Sequence, residues 1–191
     1  MKQTHFSILH RFLHWAIALG ILLALFTAFL HATWMDGREM ATIITSALAG
    51  KGITLAYDDA RGIARTISTP MFHWHFYAGY ALIPLLVLRC INLFVGGLKF
   101  TSPFLRGATL EQRFRGGLYI LFYVALAVIL AMGLLLKFGP RNDLHEVFKI
   151  LHIYCGCFAG IFVLIHFAGL VIGEHTTDKG IVSKMINGGA S

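Results

Sequence analysis

Leu144–His175, LHEVFKILHIYCGCFAGIFVLIHFAGLVIGEH, is an apolar helix candidate carrying histidines at 145, 152, 166 and 175. His152 and His166 are the informative pair. Fourteen residues at about 100° each bring them back to within roughly 40° of one another. At about 1.5 Å rise per residue they stand roughly 21 Å apart along the axis, inside a hydrocarbon layer of about 30 Å. Two imidazoles on one face of a membrane helix, one toward each leaflet, suit two metal centres stacked across a bilayer. Such a site needs two partner ligands from elsewhere in the chain.

The composition puts this helix in a membrane. Hydrophobic residues make up 57% of the 191 residues and charged ones 13%, with a mean hydropathy of +0.72. A soluble domain of this size carries more charge. The formal charge of +7 does not point to nucleic acid, because Lys and Arg are dispersed around apolar segments. That distribution suits leaflet anchoring and orientation. Cys90, Cys155 and Cys157 form no C-x-x-C or C-x-x-C-H, which argues against a zinc ribbon and covalent haem attachment. They read as small buried packing residues. The apolar stretch Phe12 to Ala32 is longer than a signal-peptide core and no small-residue cleavage site follows it. It reads as a retained span.

Four spans are expected, over about 8–33, 71–95, 116–137 and 144–172, each long enough to cross. Pro84 falls inside the second, where neighbours re-satisfy the backbone, and Gly139-Pro140 closes the third. Four spans place both termini on one side. Between the first two lies a connection, 34–70, whose first part suits a short amphipathic helix through Met35, Met40, Ile43, Ile44 and Leu48. The 96–115 connection is short and basic, with Lys99, Arg106, Arg113 and Arg115. Together with Lys2, Arg11, Lys179 and Lys184 it makes the terminal side the more basic. The opposite side balances Arg38, Lys51, Arg61, Arg65, Lys137, Arg141 and Lys149 with six of the nine acids. The termini and the 96–115 and 173–191 segments are therefore placed in the cytoplasm, and 34–70 in the periplasm.

The partners of His152 and His166 follow from depth. His14 begins the first span and His166 ends the fourth, on the same side. His75 begins the second and His152 begins the fourth, on the other. Ionisable groups inside a span are costly and functional by default. Histidines without nearby carboxylates disfavour magnesium or manganese, and two ligands per level fall short of the three or four zinc prefers. Two axial imidazoles are what a b-type haem iron takes, the porphyrin supplying the other four nitrogens. The expected metal ligands are His14 with His166 and His75 with His152. Such closed coordination points to electron transfer rather than oxygen activation.

The neighbouring residues suit that use. Gly79 and Gly156 each lie four residues after a ligand candidate and leave room for a flat porphyrin; Gly160 and Gly169 serve helix packing equally well. Phe72, Trp74, Phe76, Tyr77, Phe162 and Phe167 are candidates for lining haem faces or belting the membrane interface. Arg11 and Arg115 on one side and Lys149 on the other are candidate partners for haem propionates. Arg89, fourteen residues after His75, faces inward at the level of His14 and His166, and an arginine that deep needs an anion. Rival ligands are His10, one turn before His14, and His73, which points roughly 200° away from His75. His5, His31, His145 and His175 read as interfacial.

Arg11-x-x-His14-Trp15, then His75-x-x-x-Gly79 with Arg89, then His152 spaced fourteen from His166, resembles the bacterial di-haem cytochrome b561 family and the b-type cytochrome subunits of Ni/Fe-hydrogenases. The resemblance spans all four helices. It implies an all-α integral membrane protein, a four-transmembrane-helix bundle holding two b haems in the bacterial inner membrane, with His14, His75, His152 and His166 in the ligand positions. It also implies electron transfer to or from quinone, free-standing or as a subunit of a larger oxidoreductase. Whether the chain is an enzyme in itself stays open. The 34–70 connection is longer than a compact member needs and is a candidate docking surface for a periplasmic partner. The fifth span of some hydrogenase cytochromes is missing. Two alternatives stand beside this: a self-contained superoxide:quinone oxidoreductase of the same type, and a haem-free transporter moving protons or metal through the paired histidines and Pro84.

Overall fold

The computed structural model describes residues 6–95, 103–104, 107–141, 143–176 and 179–188. Among the described residues all regular structure is helical: α1 Ile8–Ala32, α2 Gly37–Ala49, α3 Tyr57–Phe94, α4 Leu110–Phe138, α5 Leu144–His175 and α6 Ile181–Asn187. Helices α1, α3, α4 and α5 are long and apolar enough to cross a membrane. Their outward side chains, such as Leu19, Phe26, Val87, Val124, Ile161 and Leu164, are themselves apolar and exposed. Helices apolar on every side belong in lipid. The chain is an all-α, multi-pass membrane protein.

Two compact units divide the chain, Met1–Ile17 with Ile83–Ser191, and Ala18–Leu82. In the first, α4 and α5 pack along one another. Phe122, Ala125 and Leu126 of α4 and Ala159 and Phe162 of α5 are buried there, and the Phe122 and Phe162 rings stack with centroids 3.9 Å apart. Helix α6 lies against α5. The Glu174 carboxylate accepts the backbone N–H groups of Gly180 and Val182 at 2.8 and 3.2 Å. Arg11 Nη1 donates to the Ile186 carbonyl at 2.6 Å, and Trp15 Nε1 to Met185 at 3.3 Å. The segment expected as a plain tail is thus a helix tied to both α1 and α5.

The second unit holds the rest of α1, all of α2 and the first two-thirds of α3. Its core is made of Ile21, Ala41, Ala60, Ala64, Met71, Ala78 and Leu82. Asp36 caps α2, its carboxylate accepting from Arg38 and Glu39 N–H at 2.9 and 3.2 Å. Those two donors hold the Asp36 carboxyl below the usual carboxylate range, so the cap is present at neutral pH and lost as pH falls through the lowered value. Helix α2 meets the expectation of a short helix after the first span.

The largest difference from the sequence-based boundaries lies in α3, which starts at Tyr57 and not at 71. Pro70 and the charges at 58, 59, 61 and 65 read as a loop, yet Ala60, Ala64, Ser68 and Met71 fall on one helical face and are buried. Asp58 and Asp59 sit in the first turn, where the helix dipole favours acids. Around Pro70, which lacks an N–H, the Ser68 and Thr69 hydroxyls both donate to the Arg65 carbonyl. At 38 residues the helix is about 57 Å long, far beyond the roughly 30 Å apolar layer. Its charged first turns therefore extend past the layer. Ala64→Leu tests this directly: overpacking a helix face costs about 1–3 kcal/mol, lowering the thermal midpoint in detergent, whereas in a loop it would change nothing.

Smaller differences follow from capping. Helix α4 begins at Leu110 rather than 116 because Thr109 and Gln112 form a reciprocal capping box. It ends before Gly139-Pro140 as expected; a Cβ at Gly139 would collide with the Leu135 carbonyl. Helix α5 runs to His175, three residues past the expected end. Cys157 is exposed and Cys90 and Cys155 are intermediate, so the expectation of buried packing cysteines is corrected: they sit on outward or partly outward faces of α3 and α5. Lys2, Lys99, Arg106 and His5, which entered the orientation and interfacial readings, lie outside the described residues.

Candidate functional site

Helices α1 and α5 bring His14 and His166 together within the first unit. Their ring centroids are 6.1 Å apart and their planes are tilted by 54°. The His166 ring is held by aromatic packing. It stacks on Phe162, 5.9 Å away and nearly parallel, and meets the edge of Tyr119 at 6.4 Å. Trp15 stands edge-on to His14 at 5.7 Å.

One turn before His14, His10 does a different job. It is 4% exposed, stacks on Phe6 at 5.0 Å, and its Nδ1 lies 3.0 Å from Arg89 Nη1. A guanidinium only donates, so Nδ1 accepts and the neutral ring carries its proton on Nε2. Arg89 is 7% exposed; it also reaches the His10 carbonyl at 3.4 Å, and its Nε donates to Tyr123 Oη at 3.2 Å. All three acceptors are neutral. Among the described residues no carboxylate pairs with this buried cation.

His152, two turns into α5, turns toward α4. Its Nδ1 lies 2.9 Å from the Ile129 carbonyl. A carbonyl only accepts, so Nδ1 holds the proton and the neutral ring has its lone pair on Nε2. Lys149 is exposed and bonded to Glu146 at 3.5 Å. Arg11, whose Nη1 serves the end of α6, has a buried Nε without a hydrogen-bond partner.

In the second unit His75 and His73 part as their spacing requires. His73 is exposed and its ring lies 6.3 Å from Tyr77. His75 is partly buried, with Nδ1 2.9 Å from Thr27 Oγ1. The same hydroxyl is 2.9 Å from the Leu23 and Ala24 carbonyls. Its proton goes to a carbonyl and its lone pair accepts from His75 Nδ1–H, giving His75 the tautomer of His152. Around Gly79, and around Gly156 in the first unit, an added Cβ would meet no atom within 4 Å. His31 is exposed and lies against Phe72 at 4.7 Å.

A family model described as prokaryotic cytochrome b561 matches residues 5–188, nearly the whole chain and all the residues just described. The chain belongs to the prokaryotic cytochrome b561 family. No curated protein and no solved structure matches it. As a member of that family it is a membrane b-type cytochrome of electron transfer, which sets aside the haem-free transporter. Sequence reasoning missed Thr27, Tyr123 and Ile129. Thr27 and Tyr123 carried a signal, being polar groups on apolar helices. Ile129 carried none, because it acts through its backbone carbonyl.

Proposed function

We propose that this b561-family chain is a di-haem cytochrome carrying electrons through the bacterial cytoplasmic membrane, between a quinone pool and a periplasmic partner. The observation that supports this most is the 6.1 Å spacing of His14 and His166. Metal–imidazole bonds of about 2 Å on each side place the centroids of two axial rings about 6 Å apart. The observed 6.1 Å is compatible with one iron held between the two rings. His14 and His166 would hold the first haem. His75 and His152, each with its lone pair on Nε2 and its Nδ1–H engaged, are the residues that would serve a second haem on the sequence reading. The open space at Gly79 and at Gly156 would leave room for a porphyrin, and Arg89 would neutralise a propionate. When bound, the haems supply one-electron redox chemistry; the protein's part is to fix the ligand rings, place the buried cation and exclude water.

Arg11, Arg113, Arg115, Lys179 and Lys184 support a cytoplasmic location for the termini. On the other side, α2 and the first turns of α3 expose Arg38, Glu39, Asp58, Asp59 and Arg65, a mixed-charge surface suited to a redox partner. Purified protein in lipid vesicles, mixed with short-chain ubiquinol and menaquinol analogues, tests the function. The expected result is haem reduction by at least one quinol within the dead time to seconds of mixing. Haem that dithionite reduces but neither quinol does would contradict the quinone assignment.

A further inference from the structure

At Gly133 the bare helix backbone faces a histidine ring. A Cβ built there would lie 3.2 Å from His152 Cε1 and 3.5 Å from Nδ1. In α4 the Gly133 N–H is the helical partner of the Ile129 carbonyl, and that carbonyl also accepts from His152 Nδ1 at 2.9 Å. A carbonyl has two lone pairs and serves both donors. The imidazole lies against the helix over the position of the missing side chain.

We propose that Gly133 is a positioning residue for His152: its bare backbone lets the imidazole reach the Ile129 carbonyl, which sets the ring's orientation and keeps the lone pair on Nε2. This rests on the reading of His152 as a haem ligand. A ligand imidazole that donates its other N–H to a carbonyl is a stronger base at the ligating nitrogen, which favours the ferric state. Weakening that hydrogen bond therefore raises the reduction potential of this haem and leaves the other unmoved.

The test is a potentiometric titration and haem count on purified Gly133→Ala and Gly133→Leu, beside His152→Ala and a helix control, Gly117→Ala, where a Cβ meets nothing within 4 Å. In Gly133→Ala the ring yields by a few tenths of an ångström. One transition is expected to move positive by about tenfold in the ferric-to-ferrous ratio, about 59 mV for a one-electron couple. Gly133→Leu loses the haem that His152→Ala loses, and Gly117→Ala matches wild type. Should the leucine variant not fold, the alanine variant carries the test. Wild-type potentials and full haem in Gly133→Ala, or a shift in the haem that survives His152→Ala, would overturn the inference. If His152→Ala itself keeps every haem, the ligand assignment has failed instead.

Discussion

His166→Ala is expected to leave one low-spin haem per chain of the two proposed. On the proposed assignment the substitution would remove one of the two histidines that hold an iron and open a space between Phe162 and His14, so that haem would be lost. His14→Ala is expected to lose the same haem. If the two rings serve one iron, the effects will not add: the double variant His14→Ala/His166→Ala is expected to keep one haem as well, at the potential of either single variant. The exposed His73 supplies a control, and His73→Ala keeps both. Haem-to-protein ratios and potentiometric titrations read all four variants. Additive loss, with the double variant empty and each single variant lacking a different haem, would show that His14 and His166 belong to separate sites.

Arg89→Met shifts one haem to a more negative potential and weakens its retention. The guanidinium is almost fully buried, and its partners are His10 Nδ1, the His10 carbonyl and Tyr123 Oη. These neutral acceptors satisfy donors without cancelling the charge. A buried charge lacking a counter-ion is strongly destabilising, so the cation's place in an apolar helix points to a bound anion, which a haem propionate would supply. Removing the cation favours the oxidised haem, and losing hydrogen bonds to a charged group costs about 1.5–3 kcal/mol. Arg89→Lys restores the charge without the fork and is expected to recover most of the potential but not all of the stability. A potential unchanged in Arg89→Met, with stability alone reduced, would make Arg89 a purely structural tie between α1, α3 and α4.

The four apolar helices were legible because each span is a long, weakly charged run, and length and hydropathy are sequence properties. The approach of His14 to His166 was legible for the same reason: imidazoles stand out against an apolar background, and their depths follow from helical geometry. The start of α3 was not. Pro70 and a mixed charge pattern mimic a loop, and only tertiary burial of Ala60 and Ala64 shows that a helix runs through them. Depth alone left His10 beside His14 as a rival. What separates them is a contact made far away in the sequence, the Arg89 guanidinium on His10 Nδ1. The Ile129 carbonyl and the space at Gly133 are equally hidden, since backbone acceptors and missing side chains leave no mark on a one-dimensional pattern. Arg11 was read for propionate binding; the structure shows its Nη1 on the Ile186 carbonyl, a contact that depends on the fold-back of α6.

The most direct measurement is the haem-to-chain ratio of the purified wild type by pyridine haemochrome, combined with low-temperature EPR of the oxidised protein. The account predicts close to two b haems per chain, both low-spin with bis-imidazole signals. One haem per chain, or a high-spin ferric signal from an open iron position, would contradict it.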